Sequence, residues 1–231
     1  MHIVIQTELI FSLIIMAMLA VFFIYAGRKI ALADATKRPK GLVLVVETGV
    51  EMIYNYLKSI MPSRFEKNYY PYFAMLFCYL IVANISGLIG FDAPTSNYSI
   101  TLAMTIITFV LIQFNAIRKK GIKEYIKGNV WPPTNIFGTI APLISLSFRI
   151  FGNILSGSIL MSLLYQFTGW LSSLIIPTTV NFLGPVIAPV FHVYFDLFAG
   201  VIQTLVFVTI SSILIMMEMK IDLNYKYSFD N

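Results

Sequence analysis

Apolar segments long enough to cross a lipid bilayer alternate with short polar segments along this chain. Residues 9–26, 72–91 and 100–117 each have about the length of one crossing, which takes roughly 20 residues in a helix. Two further apolar segments, 134–176 and 185–217, are longer than an upright crossing requires. They predict strongly tilted or bent helices that cross at about 140–167 and 187–217.

Residues 42–61 follow a different pattern, in which polar side chains recur at helical spacing among Val, Met and Ile. This mixture favours an amphipathic helix at the membrane interface over another crossing. We therefore predict an all-α polytopic membrane protein with about five membrane-crossing helices, long tilted C-terminal helices and one interfacial helix. Because no internal repeat or low-complexity tract is visible, we expect a single membrane domain over residues 1–231.

The composition supports a membrane protein and excludes other classes. Hydrophobic residues make up 58% of the chain and charged residues only 12%, more apolar surface than a soluble domain of this length can bury. The net charge of +5 does not indicate nucleic-acid binding, because the basic residues lie in loops beside the crossings. Cys78 is the single cysteine and rules out an intrachain disulfide. The first apolar segment lacks a basic start and a cleavage site, so we interpret it as a retained span.

The basic residues also predict the orientation of the chain. If the N-terminus is outside, the Lys and Arg residues of the polar segments all fall on the inner side. The outer loops, 91–97 and 168–185, then contain neither Lys nor Arg. We expect the N-terminus outside and the C-terminus inside, because the opposite orientation would place all these cations on the wrong side.

Arg149 is the one basic residue that lies in an apolar segment, and no other charge occurs in residues 141–167. A guanidinium stays protonated in proteins, and at mid-bilayer it costs roughly 2.5–3.5 kcal/mol on insertion scales. Charged side chains inside a membrane usually face a helix bundle or a watery cavity. We therefore expect Arg149 to be a functional residue.

Asp196 is the acidic counterpart of Arg149, in the last apolar segment. Helical spacing places His192, Asp196, Gly200 and Gln203 along one helix face. Two hydrophobic helices, one with an arginine and the other with His, Asp and Gln, are typical of a proton or ion pathway.

Plainer interpretations of these residues stay open. Arg149 and Asp196 could form a buried ion pair that only holds two helices together. His192 follows Pro189 closely and could lie at the membrane interface. The amide and small side chains could instead serve helix packing and interhelical hydrogen bonds: Asn153, Gln203, Ser156, Ser158, Gly152 and Gly157.

Four stretches of the sequence are more specific than these general signals. They are LIVANISGLIG at 80–90, PTSNYSITLAMT at 94–105, SLSFRIFGNILSG at 145–157 and FDLFAGVIQTLVF at 195–207. In this order they resemble the second span, the loop into the third span, the arginine signature and the last helix of subunit a of the rotary F-type ATP synthase. Arg-x-Phe-Gly-Asn alone would be suggestive, whereas four matched stretches are strong.

The resemblance implies roles for individual residues. Arg149 corresponds to the essential arginine that faces a carboxylate of the c-ring, and Asn153 to the asparagine one turn later. Asp196 stands where the family often has Glu or His, and Gln203 stands at the family's glutamine. Asp196, Gln203, Asn153, His192 and Ser158 are thus the expected residues of the ion pathway.

Three positions depart from the family pattern. Ser158 stands where many members have Glu or His, so Asp196 would be the remaining carboxylate of that pair. Asn97 stands where aspartate is common, and Gly138 replaces a frequent acidic residue upstream of the arginine. These departures concern the ion route and leave the arginine unchanged.

The resemblance also implies a function, that of a non-catalytic stator subunit with two aqueous half-channels for protons or sodium ions. The ATP chemistry would belong to other subunits, because this chain has no P-loop, and no cofactor or metal is expected. The expected partners are the c-ring of small hairpin subunits, peripheral-stalk subunit b, the rest of the ATP synthase and the lipid bilayer.

The expected location is a bacterial plasma membrane, with an organelle inner membrane as the alternative. A free-standing ion-coupled transporter is the alternative function, although such a protein would predict internal repeats. An intramembrane hydrolase ranks lower, because the chain lacks the Gly-x-Ser-Gly and His-Glu-x-x-His motifs.

Overall fold

A computed structural model describes residues 6–33, 38–61, 63–89, 93–130, 134–175 and 180–219, and these residues form helices without any strand. The helices are α1 (Thr7–Ala31), α2 (Leu42–Ile60), α3 (Ser63–Ile85), α4 (Tyr98–Lys120), α5 (Ile122–Val130), α6 (Thr134–Ile175), α7 (Gly184–His192) and α8 (Gly200–Glu218). Two short 3₁₀ helices, Ser86–Ile89 and Pro94–Ser96, lie between α3 and α4. A π-helical segment, Val193–Ala199, joins α7 to α8.

Five helices of the described residues are long and apolar enough to cross a membrane: Thr7–Ala31, Tyr69–Leu88, Tyr98–Lys120, Asn135–Ile175 and Gly184–Glu218. They confirm the predicted all-α, polytopic fold. Phe91, the predicted end of the second crossing, lies outside the described residues. The division of the chain into one membrane domain stays a prediction.

The two C-terminal helices are as long as the apolar pattern indicated. With 42 residues, α6 has a length of about 63 Å at 1.5 Å per residue, about twice the roughly 30 Å of a bilayer core. Pro142 lies inside this helix and removes one backbone hydrogen bond from it. Such a helix cannot cross upright without leaving the hydrocarbon, which supports a tilted or bent course.

Pro189 does not interrupt the last helix. Pro185 lies in the first turn of α7, where its missing N–H has no partner to lose. Pro189 lies further inside α7, and the helix continues through the π-helical segment into α8. In a membrane, neighbouring helices and local π adjustments compensate for the lost hydrogen bond.

The protein core lies where α3, α4 and α8 pack together, with α6 against α4. Phe73, Leu80 and Phe207 are fully buried there. Small polar side chains are buried beside them, and several donate to the carbonyl four residues earlier in their own helix: Thr105, Thr108, Thr204 and Ser212. Small side chains let membrane helices approach closely, so these residues serve packing.

The predicted amphipathic helix is α2. Its apolar face is buried through Ile53 and Leu57 against the core. Tyr56 joins α2 to α8, because its hydroxyl donates to the Leu205 carbonyl at 3.3 Å and contacts the Thr209 hydroxyl. Its position at the membrane interface stays a prediction.

Candidate functional site

Arg149 lies on the outward side of α6. Leu146 and Ile150 are buried in the core, whereas Arg149 and the neighbouring Phe148 are exposed. Most of this exposed face is apolar, and Ile144 on it is 51% exposed. Within the part of the chain that the structure describes, the guanidinium has no hydrogen bond and no ion pair.

The polar residues that follow Arg149 mainly bond to their own helix. Ser156 donates to the carbonyl of Asn153 at 2.9 Å, and Ser158, which is exposed, donates to the carbonyl of Leu155 at 2.9 Å. Asn153 is half-buried, and its Nδ2 is buried without a partner among the described residues. Of these three side chains, Asn153 is the one with a buried polar atom that has no partner among the described residues.

The glycines near Arg149 show where α6 packs closely. A Cβ on Gly157 would lie 3.4 Å from the Cβ of Phe195, so the π-helical segment approaches α6 closely there. A Cβ on Gly152 would meet no atom within 4 Å. Gly157 therefore serves close helix packing, as its small side chain allowed. Gly152 does not pack closely against any described residue of this chain.

Asp196 lies in the π-helical segment and bonds to His192. Its Oδ2 is 2.7 Å from Nδ1 of His192, and the two side chains are 24% and 35% exposed. On its other side, the His192 ring has Nε2 3.4 Å from the hydroxyl of Tyr165 on α6. Tyr165, His192 and Asp196 thus form a string of three groups that can each donate or accept a proton.

The contact between Asp196 and His192 bears on the alternative in which Arg149 and Asp196 form a buried ion pair. Arg149 and Asp196 do not form an ion pair in the described structure, because the carboxylate of Asp196 pairs with His192. The interpretation of Arg149 and Asp196 as mutual structural partners is therefore wrong. His192 lies against a carboxylate and a tyrosine hydroxyl, so it is part of a polar cluster.

Two residues of the second span contact the last membrane-spanning helix, Gly87 at Asp196 and Asn84 one turn further along that helix. Gly87 faces the carboxyl group, because a Cβ built there would lie 3.5 Å from Cγ of Asp196. Asn84, one turn earlier, donates from Nδ2 to the Gly200 carbonyl at 3.1 Å and to the Thr204 hydroxyl at 3.2 Å. The second span therefore approaches Asp196 closely, and a Cβ at position 87 would be in van der Waals contact with the carboxyl group.

Asn84 also reaches the loop before α4, because Thr95 donates to its Oδ1 at 2.9 Å. The contact between α3 and α8 is close at Gly200, where a Cβ would lie 2.9 Å from Cβ of Asn84. Sequence reasoning missed Asn84, Gly87, Thr95 and Tyr165. An asparagine and two glycines in the apolar stretch LIVANISGLIG were the available signal, whereas Tyr165 has none.

The predicted common face of the last helix is present in part. Asp196 and Gly200 both face the second span, and His192 reaches Asp196. Gln203 is buried, and its Nε2 has no partner among the described residues. The π-helical segment has a wider turn than an α-helix, so it rotates the residues before it relative to those after it; such segments are frequent at functional sites.

The fold and these residues define a multi-pass α-helical membrane protein. Arg149 lies on the exposed surface of its helix bundle without a partner among the described residues, and a polar cluster around Asp196 lies between the helices. A sequence model of the ATP synthase A chain matches residues 9–216. The ATP synthase subunit a of Mycoplasma genitalium is 32% identical over 218 residues, which cover 86% of this chain and 74% of that protein. The subunit a of Streptococcus agalactiae is 29% identical over 222 residues, covering 89% and 87%.

The chain therefore belongs to the family of ATP synthase subunit a, a membrane subunit of the Fo sector of the F-type ATP synthase. The resemblance drawn from four sequence stretches is confirmed, and with it membership of an ATP synthase complex.

Proposed function

We propose that this chain is the stator ion-channel subunit that couples proton or sodium-ion translocation to rotation of a c-ring. The observation that supports this most is the position of Arg149. It is exposed on an apolar face of a membrane-spanning helix and has no counter-charge among the described residues. A guanidinium facing lipid is costly, so a partner protein with a carboxylate is the natural cover for this face.

A fixed guanidinium at this place has a direct effect on a passing carboxyl group. The carboxyls of a rotating ring must be neutral while they face lipid, because an unpaired charge there is expensive. A positive charge within several ångström lowers the pKa of an arriving carboxyl and releases its ion. The same charge repels cations, so it prevents a direct leak between two offset half-channels.

Asp196 and His192 are the proposed groups of one half-channel, together with Gln203, Asn153 and Ser158. The carboxyl and imidazole are partly exposed and touch each other, as a proton relay requires. The hydroxyl of Ser158 does not ionise near neutral pH, so in this half-channel it can only bind water or an ion. Gln203 and Asn153 each have a buried amide nitrogen without a partner among the described residues, which water in a channel could satisfy.

The proposed assembly contains the c-ring and peripheral-stalk subunit b, in a bacterial plasma membrane with the N-terminus outside. The orientation is supported by the distribution of Lys and Arg. In a Cys78→Ser background, we expect cysteines placed at Asn97 and at Thr179 to react with an impermeant maleimide added outside intact cells. Of these two positions, Thr179 lies outside the described residues. A cysteine at Lys120 should stay unlabelled. Its labelling from outside would show that the chain has the opposite orientation.

The decisive experiment is ATP-driven proton pumping in inverted membrane vesicles, followed with a pH-sensitive dye. Arg149→Ala should abolish pumping while an immunoblot shows a normal amount of assembled subunit. The matched control is Arg118→Ala, because Arg118 is an exposed arginine near the end of α4 whose guanidinium stacks on Phe114. Substantial pumping by the Arg149 variant would refute the proposal.

Co-purification separates this function from a free-standing transporter. A stator subunit should purify together with a ring of small two-helix proteins and with subunit b. Purification of this chain alone, with ion transport intact, would instead support the transporter.

A further inference from the structure

A basic surface lies where α4 ends and α5 begins. The stretch RKKGIKEYIK there contains five Lys and Arg residues and a single acidic residue, Glu124. Arg118 is engaged within the chain, because its guanidinium lies over the ring of Phe114. Lys119 is engaged too, because its Nζ donates to the Met217 carbonyl at 2.7 Å. Three lysines are exposed and have no hydrogen bond or ion pair among the described residues: Lys120, Lys123 and Lys127.

The exposed surface of α5 is arranged in three layers around the helix. At about 100° per residue, Lys123 lies between Ile122 on one side and Glu124 on the other. The next turn repeats the first two layers with Ile126 and Lys127. Ile122 and Ile126 are 62% and 53% exposed, and Glu124 is exposed as well. The surface of α5 therefore passes from apolar through cationic to acidic.

The remaining side of α5 is held against the protein. The Tyr125 hydroxyl donates to Oε1 of Gln113 on α4, and the Asn135 amide on α6 donates to the Gly128 carbonyl at 2.7 Å. The two lysines of α5 lie two residues before and two residues after Tyr125, which is about 160° around the helix. Their side chains therefore extend away from the helix bundle, on a helix whose rotation is fixed.

The position of α5 in the chain places it at the membrane surface. It follows a membrane-crossing helix, α4, and precedes another, α6. Gly121 separates α4 from α5, and its φ of 81°, a left-handed value that favours glycine, lets the chain leave the direction of the crossing. A crossing ends at the level of the lipid headgroups, so the layers of α5 match hydrocarbon, headgroups and water in that order. In the proposed orientation, this is the inner leaflet.

We infer that α5 is a binding site for the headgroups of anionic phospholipids. Lys123 and Lys127 contact the lipid phosphates, and Ile122 and Ile126 enter the boundary of the acyl chains. Basic residues next to a membrane crossing attract anionic lipids, whereas a zwitterionic headgroup carries its own ammonium and gains less from them. The inference goes beyond the proposed function, because lipid binding at α5 takes no part in a step of ion translocation.

The test measures which lipid contacts α5 in the complete ATP synthase, reconstituted in phosphatidylcholine vesicles. In a Cys78→Ser background, Ile126→Cys carries a fluorophore, and the signal of the complex without this cysteine is subtracted. Spin-labelled phosphatidylglycerol should occupy the site in preference to spin-labelled phosphatidylcholine by about tenfold or more, as two lysines near an anionic lipid predict. Salt at about 1 M should reduce the preference, because the lysines are exposed.

A control site and matched variants assign the preference to the lysines. A fluorophore on Leu13→Cys, on the exposed apolar surface of α1, should be quenched equally by the two lipids. Lys123→Gln combined with Lys127→Gln should reduce the preference at Ile126→Cys to less than about twofold. Glu124→Gln, on the same helix, should keep it. If the lysine variant assembles poorly, the salt dependence of the protein with both lysines decides the question.

Equal quenching of the Ile126→Cys site by the two lipids would overturn the inference, and so would a preference that survives both high salt and the loss of the two lysines. Absence of quenching by either lipid would also overturn it, because an acidic segment of a partner protein would then cover α5. None of these results depends on pumping. The proposed function therefore stands or falls separately, with the pumping of Arg149→Ala.

Discussion

The two charged sites of the membrane region differ in how this chain satisfies them. The guanidinium of Arg149 is exposed on the apolar face of α6 and has no partner among the described residues. The carboxylate of Asp196 bonds to His192 at 2.7 Å and lies beside Gly87 of the second span. Among the described residues the carboxylate of Asp196 has a partner and the guanidinium of Arg149 has none, as the proposed contact of Arg149 with a second molecule requires.

The difference teaches which properties matter at each site. Under the proposed function, a side chain that meets a moving carboxyl group needs a permanent charge, and no described residue forms an ion pair with Arg149 that would preserve its ionised state. A side chain proposed to exchange protons with fixed neighbours needs a carboxyl group within reach of them, which a longer side chain with a carboxyl can still provide. Substitutions that keep the sign of the charge should therefore separate the two sites.

The largest effect is expected for Arg149→Lys. An amine can lose its proton when it is desolvated, whereas a guanidinium cannot, so pumping should fall by about 100-fold or more, in the range for loss of one preorganised electrostatic group. The measurement is dye quenching in inverted vesicles beside an immunoblot for the subunit. Asp196→Glu also keeps the ionisable group of its site and should retain much of the pumping activity. If Arg149→Lys and Asp196→Glu pumped at similar rates, the proposed difference between the two sites would be wrong.

Asp196→Asn should have the second largest effect. The amide keeps much of the shape but cannot exchange a proton, so pumping should slow by roughly tenfold and its pH profile should change. The amount of assembled subunit should stay normal, because Arg149 does not depend on this carboxylate as a partner. Pumping at the parental rate across the whole pH range would rule out a relay at Asp196.

A matched pair of glycines tests packing in the two regions. Gly200→Ala should destabilise the subunit by about 1–3 kcal/mol, because the new Cβ would lie 2.9 Å from Cβ of Asn84. Gly152→Ala meets no atom within 4 Å and should leave the amount of folded subunit unchanged. Thermal unfolding of the detergent-purified subunit provides the comparison.

The same position on α6 can reveal the missing partner. Gly152→Leu should leave the isolated subunit folded and yet reduce its recovery with the c-ring, if the ring packs against this face. Undiminished recovery would place the ring elsewhere on the molecule.

The smallest effect is expected for Tyr165→Phe. The hydroxyl lies 3.4 Å from Nε2 of His192 and on the exposed side of the cluster, so the hydrogen bond is weak. Pumping should change by less than about twofold, with a modest change in its pH profile. A loss as large as that of Asp196→Asn would make Tyr165 an obligatory member of the string.

The sequence predicted much of the fold and part of the site. Five apolar helices, the amphipathic pattern of residues 42–61 and the positions of Arg149 and Asp196 follow from hydropathy and helical spacing. These properties belong to contiguous residues, because bilayer thickness sets the length of a crossing and desolvation makes a membrane charge conspicuous. Family membership followed from short motifs for the same local reason.

Only the tertiary structure decided which residues meet. It brings Asn84 and Gly87 to the last helix and places Tyr165 beside His192. It also continues the last helix past Pro189 through a π-helical segment and leaves Arg149 exposed on the surface of α6. Local spacing defines a helix face but not its rotation toward a neighbour. That rotation depends on close packing between segments far apart in the chain, here the contact at Gly200, where a Cβ would lie 2.9 Å from Cβ of Asn84.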